Sequence, residues 1–562
     1  MKLSKLYVSS VESKISNIVI IIGSNNSGKT KLLQSLFDQL TGIVEVGSTE
    51  YTSEQTRTPY WSGMVKAGYF EYKTTELDQW VKAQKKWRTT TGYPGIMMYH
   101  STDYILQVKR GEDASLPEDA YEDLRANVRT NPPTTELKWI LPFKKSHIQE
   151  LGVEQRFDEA NQMINMNLQG GDESNYLQYT NKSTLDEINK HLVKLFDKKI
   201  VPLMNSLNTY TMLVVKKEDF ALVPKWARTN YPSSILKTSA EHSAYTIDHP
   251  EYNLAEQSHG TRAAVTLLSA LSDNKRKISF IDEPELHLYP AARKYMASFI
   301  AGSTEGAGKQ VIMVTHDPLI VDGIAASNKN FTIIKVGRDR SLSVVDFDER
   351  ERRRTASELK NTQSIQAGFY DAALFVEGMD DKFVYQMVIG KKKLIPEDFE
   401  FGVIETNGGD RMKDSIKFAL DIKTKVAAII DFDQLTSYKK VKNTTLKQPY
   451  VELLMTAMDL PAELIQEAVD ICVNLNIQKW INGKNINEIT DGVLKARVQK
   501  FINNSKKYGV FIVPVGEAYD WFGKSKSFGP VEDLRSMYFY NSRKFPELTE
   551  FMKEVCSYLT VR

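Results

Sequence analysis

The sequence has only two cysteines in 562 residues, Cys472 and Cys556, which excludes a disulfide framework and the paired spacing of a zinc site. No apolar run approaches the roughly 18 residues that a membrane span requires. The first ten residues, MKLSKLYVSS, lack the apolar core of a secretory signal. The expected compartment is the cytoplasm, with no membrane partner. Charge of one sign is missing as well. The 73 basic and 71 acidic residues leave a formal net charge of +2, so no global field draws in nucleic acid and any such grip rests on local patches. There is no internal repeat and no long heptad array. Against these absences, 41% apolar and 26% charged residues describe an ordinary globular chain with room for more than one core.

Hydrophobic patterning divides the chain. Asn17 to Ile22 (NIVIII) is the near-continuous apolar run of a buried parallel strand, followed by a glycine loop and a helical pattern. From about 45 to 235 the pattern is irregular and aromatic, an expected mixed α+β insertion. Within it, Leu185, Ile188, Leu192, Leu195 and Phe196 recur at helical spacing, with Ser183 as the expected cap. Buried strands are expected at Ile278 to Ile281 and Val311 to Val314. The charged stretch from Ser343 to Gln366 is the expected interdomain connection. Beyond about 370, ALFV, FGVI, VAAII and VFIV alternate with helical patterns, as in a second α/β domain with its own parallel sheet. The expected division is 1–345, a connector at 346–369, and 370–562.

Gly23 to Thr30 reads GSNNSGKT, the full GxxxxGK[ST] pattern between a strand and a helix. Gly23, Asn26, Ser27 and Gly28 turn backbone N–H groups onto phosphate oxygens, and the helix N-terminus adds positive potential. Lys29 reaches the β- and γ-phosphates and Thr30 holds Mg²⁺. The partner stretch is KISFIDEPELHLYP, from Lys277 to Pro290. There Asp282 serves the Mg²⁺ shell and Glu283 orients the attacking water. His316, in VIMVTHDP, ends another strand. This set resembles the ATP-binding-cassette (ABC) class of ATPases, and EQSHGTRAAVTLL from Glu256 looks like its signature motif. The resemblance implies that Ser258 and Gly260 face the γ-phosphate held by a second subunit, that His316 is the switch histidine, and that the working unit is at least a homodimer.

The second constellation is acidic. Glu377 ends one apolar run, in FVEGMDDKFVY, and Asp431 and Asp433 end another, in VAAIIDFDQ. In a parallel sheet such acids converge on one edge, where a hard divalent cation relieves their repulsion. The pattern resembles the Toprim fold of topoisomerases, primases and certain nucleases, with Glu377 and Asp381 in the glutamate motif, Asp431 and Asp433 in the DxD motif, and Gly408 and Gly409 in the turn between them. VFIVPVGEAYDWFG from Val510 adds Glu517 and Asp520. There the ABC-type ATPase–Toprim nucleases of the OLD (overcoming lysogenisation defect) family have a Gly-Glu-x-Glu-Asp stretch, and Tyr519 stands where that pattern often has glutamate. Lys524 and Lys526 follow, and either suits the family's phosphate-contacting lysine as well as a solvated loop.

The order of ATPase then Toprim is that of the OLD family, whose relatives act in bacterial anti-phage defence, including retron-associated and Gabija-like systems. A second related class, as in the PARIS systems, couples a similar ATPase to a Toprim-like domain that attacks RNA. The resemblance implies an ATP-gated endonuclease that uses ATP and Mg²⁺ or Mn²⁺, with DNA favoured and RNA possible as substrate. A defence partner such as a reverse transcriptase–RNA complex or a second nuclease subunit is implied too. An inert Toprim domain on a nucleotide-dependent scaffold is the reading from another class. Lys391 to Lys393, the lysines Lys439, Lys440 and Lys442, and Arg352 to Arg354 are candidate phosphate contacts or solvated faces.

Overall fold

The structure is a computed structural model. It describes residues 5–8, 11–14, 16–33, 36, 65–67, 97–99, 105–107, 148–151, 182–204, 210–223, 250–252, 254–272, 278–305, 309–327, 329–339, 341–347, 365–406, 408–440, 447–477, 485–524 and 531–561. Most of the 45–235 insertion, most of the 346–369 connector with Arg352 to Arg354, and the loop residues Lys442 and Lys526 lie outside the described residues. By their contacts the residues form two compact units, one of 1–21, 28–333 and 346–348, the other of 22–27, 334–345 and 349–562.

The first sheet has six strands: β1 (Ile18–Gly23), β2 (Ile148–Leu151), β3 (Ile278–Asp282), β4 (Gln310–Val314), β5 (Phe331–Val336) and β6 (Leu342–Phe347). Their order is β6-β5-β1-β4-β3-β2, and β1, β4, β3 and β2 run parallel. All residues of β1 and β4 are buried, as expected for strands covered on both faces. β2 joins this sheet although its sequence lies in the irregular stretch. Helix α1 (Lys182–Phe196) takes in Ser183 rather than starting after it. Its Leu185, Ile188, Leu192 and Leu195 are buried at the expected spacing. Helices α2 (His259–Ser272), α3 (Pro290–Ser303) and α4 (Pro318–Ala326) follow, the last two entered through proline at the first turn, where its missing N–H costs nothing.

The second sheet comprises β7 (Ala372–Val376), β8 (Phe401–Glu405), β9 (Lys425–Ile430) and β10 (Val510–Ile512) in the order β8-β7-β9-β10, all parallel. These are the four apolar runs read from the sequence. Strand alternation separates two cores. Ala373, Phe375, Val426, Ala428, Ile430, Val510 and Ile512 face one; Leu374, Val376, Ala427, Ile429 and Phe511 face the other. Helices α6 (Gly409–Asp421), α7 (Tyr450–Ala457), α8 (Ala462–Ile477) and α9 (Gly492–Ser505) cover the first face. Helices α5 (Met379–Lys392), α10 (Val531–Asn541) and α11 (Pro546–Thr560) cover the second. Gly402 is required in β8, because a Cβ there would lie 2.2 Å from the Tyr370 ring. Both cysteines are buried and form no disulfide. No helix among the described residues is long and apolar enough to cross a membrane.

Candidate functional site

β1 delivers the chain into the phosphate loop. Gly23 has φ +151, and a Cβ there would meet the Val336 carbonyl oxygen at 2.3 Å, so only glycine lets the loop leave the strand this way. Asn26 adopts φ 59, a left-handed turn that asparagine tolerates. Ser27 is buried, and Lys29 is only 3% exposed. Thr30 lies in the first turn of the following helix, with its Oγ1 3.4 Å from Asp282 Oδ1 at the end of β3. Hydroxyl and carboxylate together would suit a hard divalent cation.

Glu283 leaves β3 with φ 49, an uncommon conformation for a non-glycine residue, while its N–H donates to the Val314 carbonyl at 2.9 Å. That kink presents its carboxylate to His316 Nε2 at 3.5 Å. The residue expected to orient water and the expected switch histidine therefore meet. Behind them, Glu285 is 8% exposed and accepts the His316 N–H at 2.7 Å. Burial pushes its carboxyl up to about 7 against that bond, and Oε2 has no hydrogen-bond partner. Arg293 pairs with Asp317 at 2.6 Å and donates to the Leu288 carbonyl, fixing the loop after β4. Ser258 caps α2, its Oγ 3.0 Å from Thr261 Oγ1 and accepting the Thr261 N–H. Gly260 lets the helix sit against the His287 carbonyl, where a Cβ would stand at 2.5 Å.

In the second sheet the parallel pairing of β7 with β9 puts their C-terminal ends side by side. The Asp431 N–H donates to Glu377 Oε1 at 3.4 Å, and Gln434 Nε2 donates to Oε2 at 3.2 Å. Asp433 lies on the short turn after β9, and Glu517 on the turn after β10. Burial, then the charges of Asp381, Glu377, Asp433 and Glu517, pushes Asp431 up to about 9. Burial, with Asp433 and Asp381, pushes Glu377 up to about 7, opposed by its bond from Asp431 and by Lys439. Five carboxylates thus share one electrostatic neighbourhood.

Two of the expected ligands each engage a backbone N–H through one carboxylate oxygen. Asp381 accepts the Gly378 N–H at 3.0 Å and caps α5; Asp520 accepts the Glu517 N–H at 2.9 Å. Tyr519 is buried in the core, and its hydroxyl donates to Asp380 at 3.3 Å. Lys524 closes the same turn through its backbone N–H to the Tyr519 carbonyl. Among the described residues no group of three or more His, Cys, Asp or Glu side chains stands ready to hold a metal ion. The donor chemistry still fits a hard cation. The acids are all oxygen donors, and Gln434 Oε1 is buried without a partner. Gln434 was not singled out by the sequence, though it directly follows the DxD pair.

Comparison with known proteins matches part of the chain to an ATPase family. Residues 181–322 match the family model described as "AAA domain, putative AbiEii toxin, Type IV TA system". The chain therefore carries a P-loop ATPase domain of α/β fold. Similar solved structures include the SMC head domain from Thermotoga maritima (13% identity, TM-score 0.27, covering 62% of this chain and 100% of that one). Others are an Smc head bound to the C-terminal winged-helix domain of ScpA (12%, TM-score 0.32, covering 62% and 98%) and the ATP-binding cassette of an ABC transporter in its ADP conformation (12%, TM-score 0.22, covering 64% and 95%). No curated protein matches the chain.

Proposed function

We propose that this protein is an ATP-gated, divalent-metal-dependent nuclease, with 1–345 as ATPase and 370–562 as a Toprim-type nuclease domain. The reading rests on one observation: Glu377, Asp431 and Asp433 come from the C-terminal ends of adjacent parallel strands, and burial together with the neighbouring acids disfavours ionisation of Glu377 and Asp431. Divalent cations there would supply charge for both oxygens of a phosphodiester displacement. Asp431, with Asp433 beside it, would hold the ions. Gln434 would orient Glu377, and Glu517 would add a further oxygen. In the ATPase, Lys29 and Thr30 would take the phosphates and Mg²⁺ with Asp282, and Glu283 with His316 would align the attacking water. ATP held against Ser258 and Gly260 of a second copy would make the dimer nucleotide-dependent. Anti-phage defence is the physiological role, in line with the toxin–antitoxin wording of the matching family.

A second reading is a nucleotide-dependent sensor whose acidic site is inert. It is favoured by the backbone engagement of Asp381 and Asp520. One assay separates the two. The full chain is incubated with plasmid, single-stranded DNA and tRNA in Mg²⁺ or Mn²⁺, with and without ATP. The nuclease reading expects cleavage that Asp431→Ala abolishes and Lys29→Ala deregulates. If every substrate survives, the sensor reading replaces it, and cleavage of tRNA alone makes RNA the substrate.

A further inference from the structure

Helix α5 starts beside the acidic rim and ends in Lys391 and Lys392, followed by Lys393. Its last turn meets the end of α10 and the short turn Ser542–Lys544. There Phe539 and Tyr540 stand 50% and 81% exposed, with ring centroids 5.9 Å apart and planes at 80°. The Lys391 ammonium lies 3.8 Å over the Phe539 ring, and the Lys392 ammonium donates to Ser542 Oγ at 3.2 Å. Arg543 and Lys544 are exposed on the same turn. Neither they nor Lys391 has an acidic partner among the described residues. Lys393 faces the exposed Glu397 at 3.7 Å, and Glu547 is the acid that follows on α11. The negative end of a helix dipole accounts for lysines closing α5. It does not account for two adjacent exposed rings, nor for the cations of a second element beside them.

We propose that this surface is a binding site for single-stranded polynucleotide, where Tyr540 and Phe539 stack on unpaired bases and Lys391, Lys392, Arg543 and Lys544 hold the phosphates. Unpaired bases offer π-faces that a duplex hides, and cations set among aromatic rings serve stacking and phosphate at once. The site deepens the nuclease reading by placing a strand about 20 Å from the acidic rim, the length of α5. A strand of about six nucleotides covers that span.

The test is fluorescence anisotropy of the full chain with labelled oligothymidylate and oligouridylate, in EDTA and without ATP. Binding is thus read apart from cleavage. The single strand is expected to bind and the matching duplex much less. Tyr540→Ala should weaken binding about tenfold, the scale of one lost stack, while leaving its salt dependence intact. Arg543→Glu with Lys544→Glu should weaken it further and flatten the plot of log affinity against log salt by about 1.4, for two phosphates on a single strand. All these side chains are exposed, so unchanged melting temperatures show the variants folded. Preference between the two oligonucleotides tells DNA from RNA. Equal binding by wild type and both variants overturns the site, as does duplex bound as tightly as single strand. So does polyglutamate competing as well as oligonucleotide with no effect of Tyr540→Ala, which marks a surface for acidic protein. If binding behaves as expected while Asp431→Ala leaves any cleavage unchanged, the surface stands and the nuclease reading falls.

Discussion

Glu285 carries a cost that depends on pH. Its carboxyl is held at about 7 in the fold by burial, whereas in an unfolded chain it ionises in the ordinary carboxylate range. The folded state then binds the proton more tightly, so the contribution of this group to stability is fully present in acid and is lost as pH rises through about 7. Glu285→Gln keeps an oxygen for the His316 N–H and removes the charge. Thermal unfolding should show the variant more stable than wild type at pH 8, by up to about 3 kcal/mol, with the two converging near pH 4. The acidic rim makes the corresponding prediction for metal. In EDTA, Asp431→Asn should raise the melting temperature by about 2–4 °C for each kcal/mol of repulsion relieved. Millimolar Mg²⁺ should stabilise wild type and leave that variant unmoved. An equal Mg²⁺ response in both proteins would remove Asp431 from the metal site.

At the scale of elements, two glycines set local geometry. Gly402→Ala drives a Cβ into the Tyr370 ring beneath β8 and should cost about 1–3 kcal/mol in denaturant unfolding. Gly23→Ala meets both a forbidding φ and the Val336 carbonyl. The expected result is a folded protein whose melting temperature no longer rises with ATP. Much of the framework behind these positions was legible in the sequence. β7, β8, β9 and β10 announce themselves as short apolar runs buried on both faces. α1 does so through Leu185, Ile188, Leu192 and Leu195 at helical spacing. β2 was not legible, because Ile148–Leu151 (IQEL) has two polar residues between its apolar ends, neither an apolar run nor an alternation, and is placed by its pairing with β3. In the sites, the position of Thr30 followed from the phosphate-loop pattern and those of Asp282, Glu283, Glu377 and Asp431 from strand ends. What their side chains hold did not follow. The bonds of Gln434 to Glu377, Tyr519 to Asp380 and Asp381 to Gly378 are choices among neighbours made only after packing.

At the scale of the whole molecule, the ATPase motifs predict an assembly that changes with nucleotide. Glu283→Gln should bind ATP without turning it over. Light scattering is then expected to show the mass double when ATP and Mg²⁺ are added, and to stay at the single-chain value for Lys29→Ala. A mass unaffected by ATP would confine the signature helix α2 to a structural role. The sheet order also bears on synthesis. β1 pairs with β4, so Ile18 waits for Val311, about 290 residues later and, at ribosomal speeds, some 15–60 s behind. Until then the nascent chain has no seat for a triphosphate. The phosphate loop thus gains the carboxylates of its neighbouring strands only once the central strands have closed.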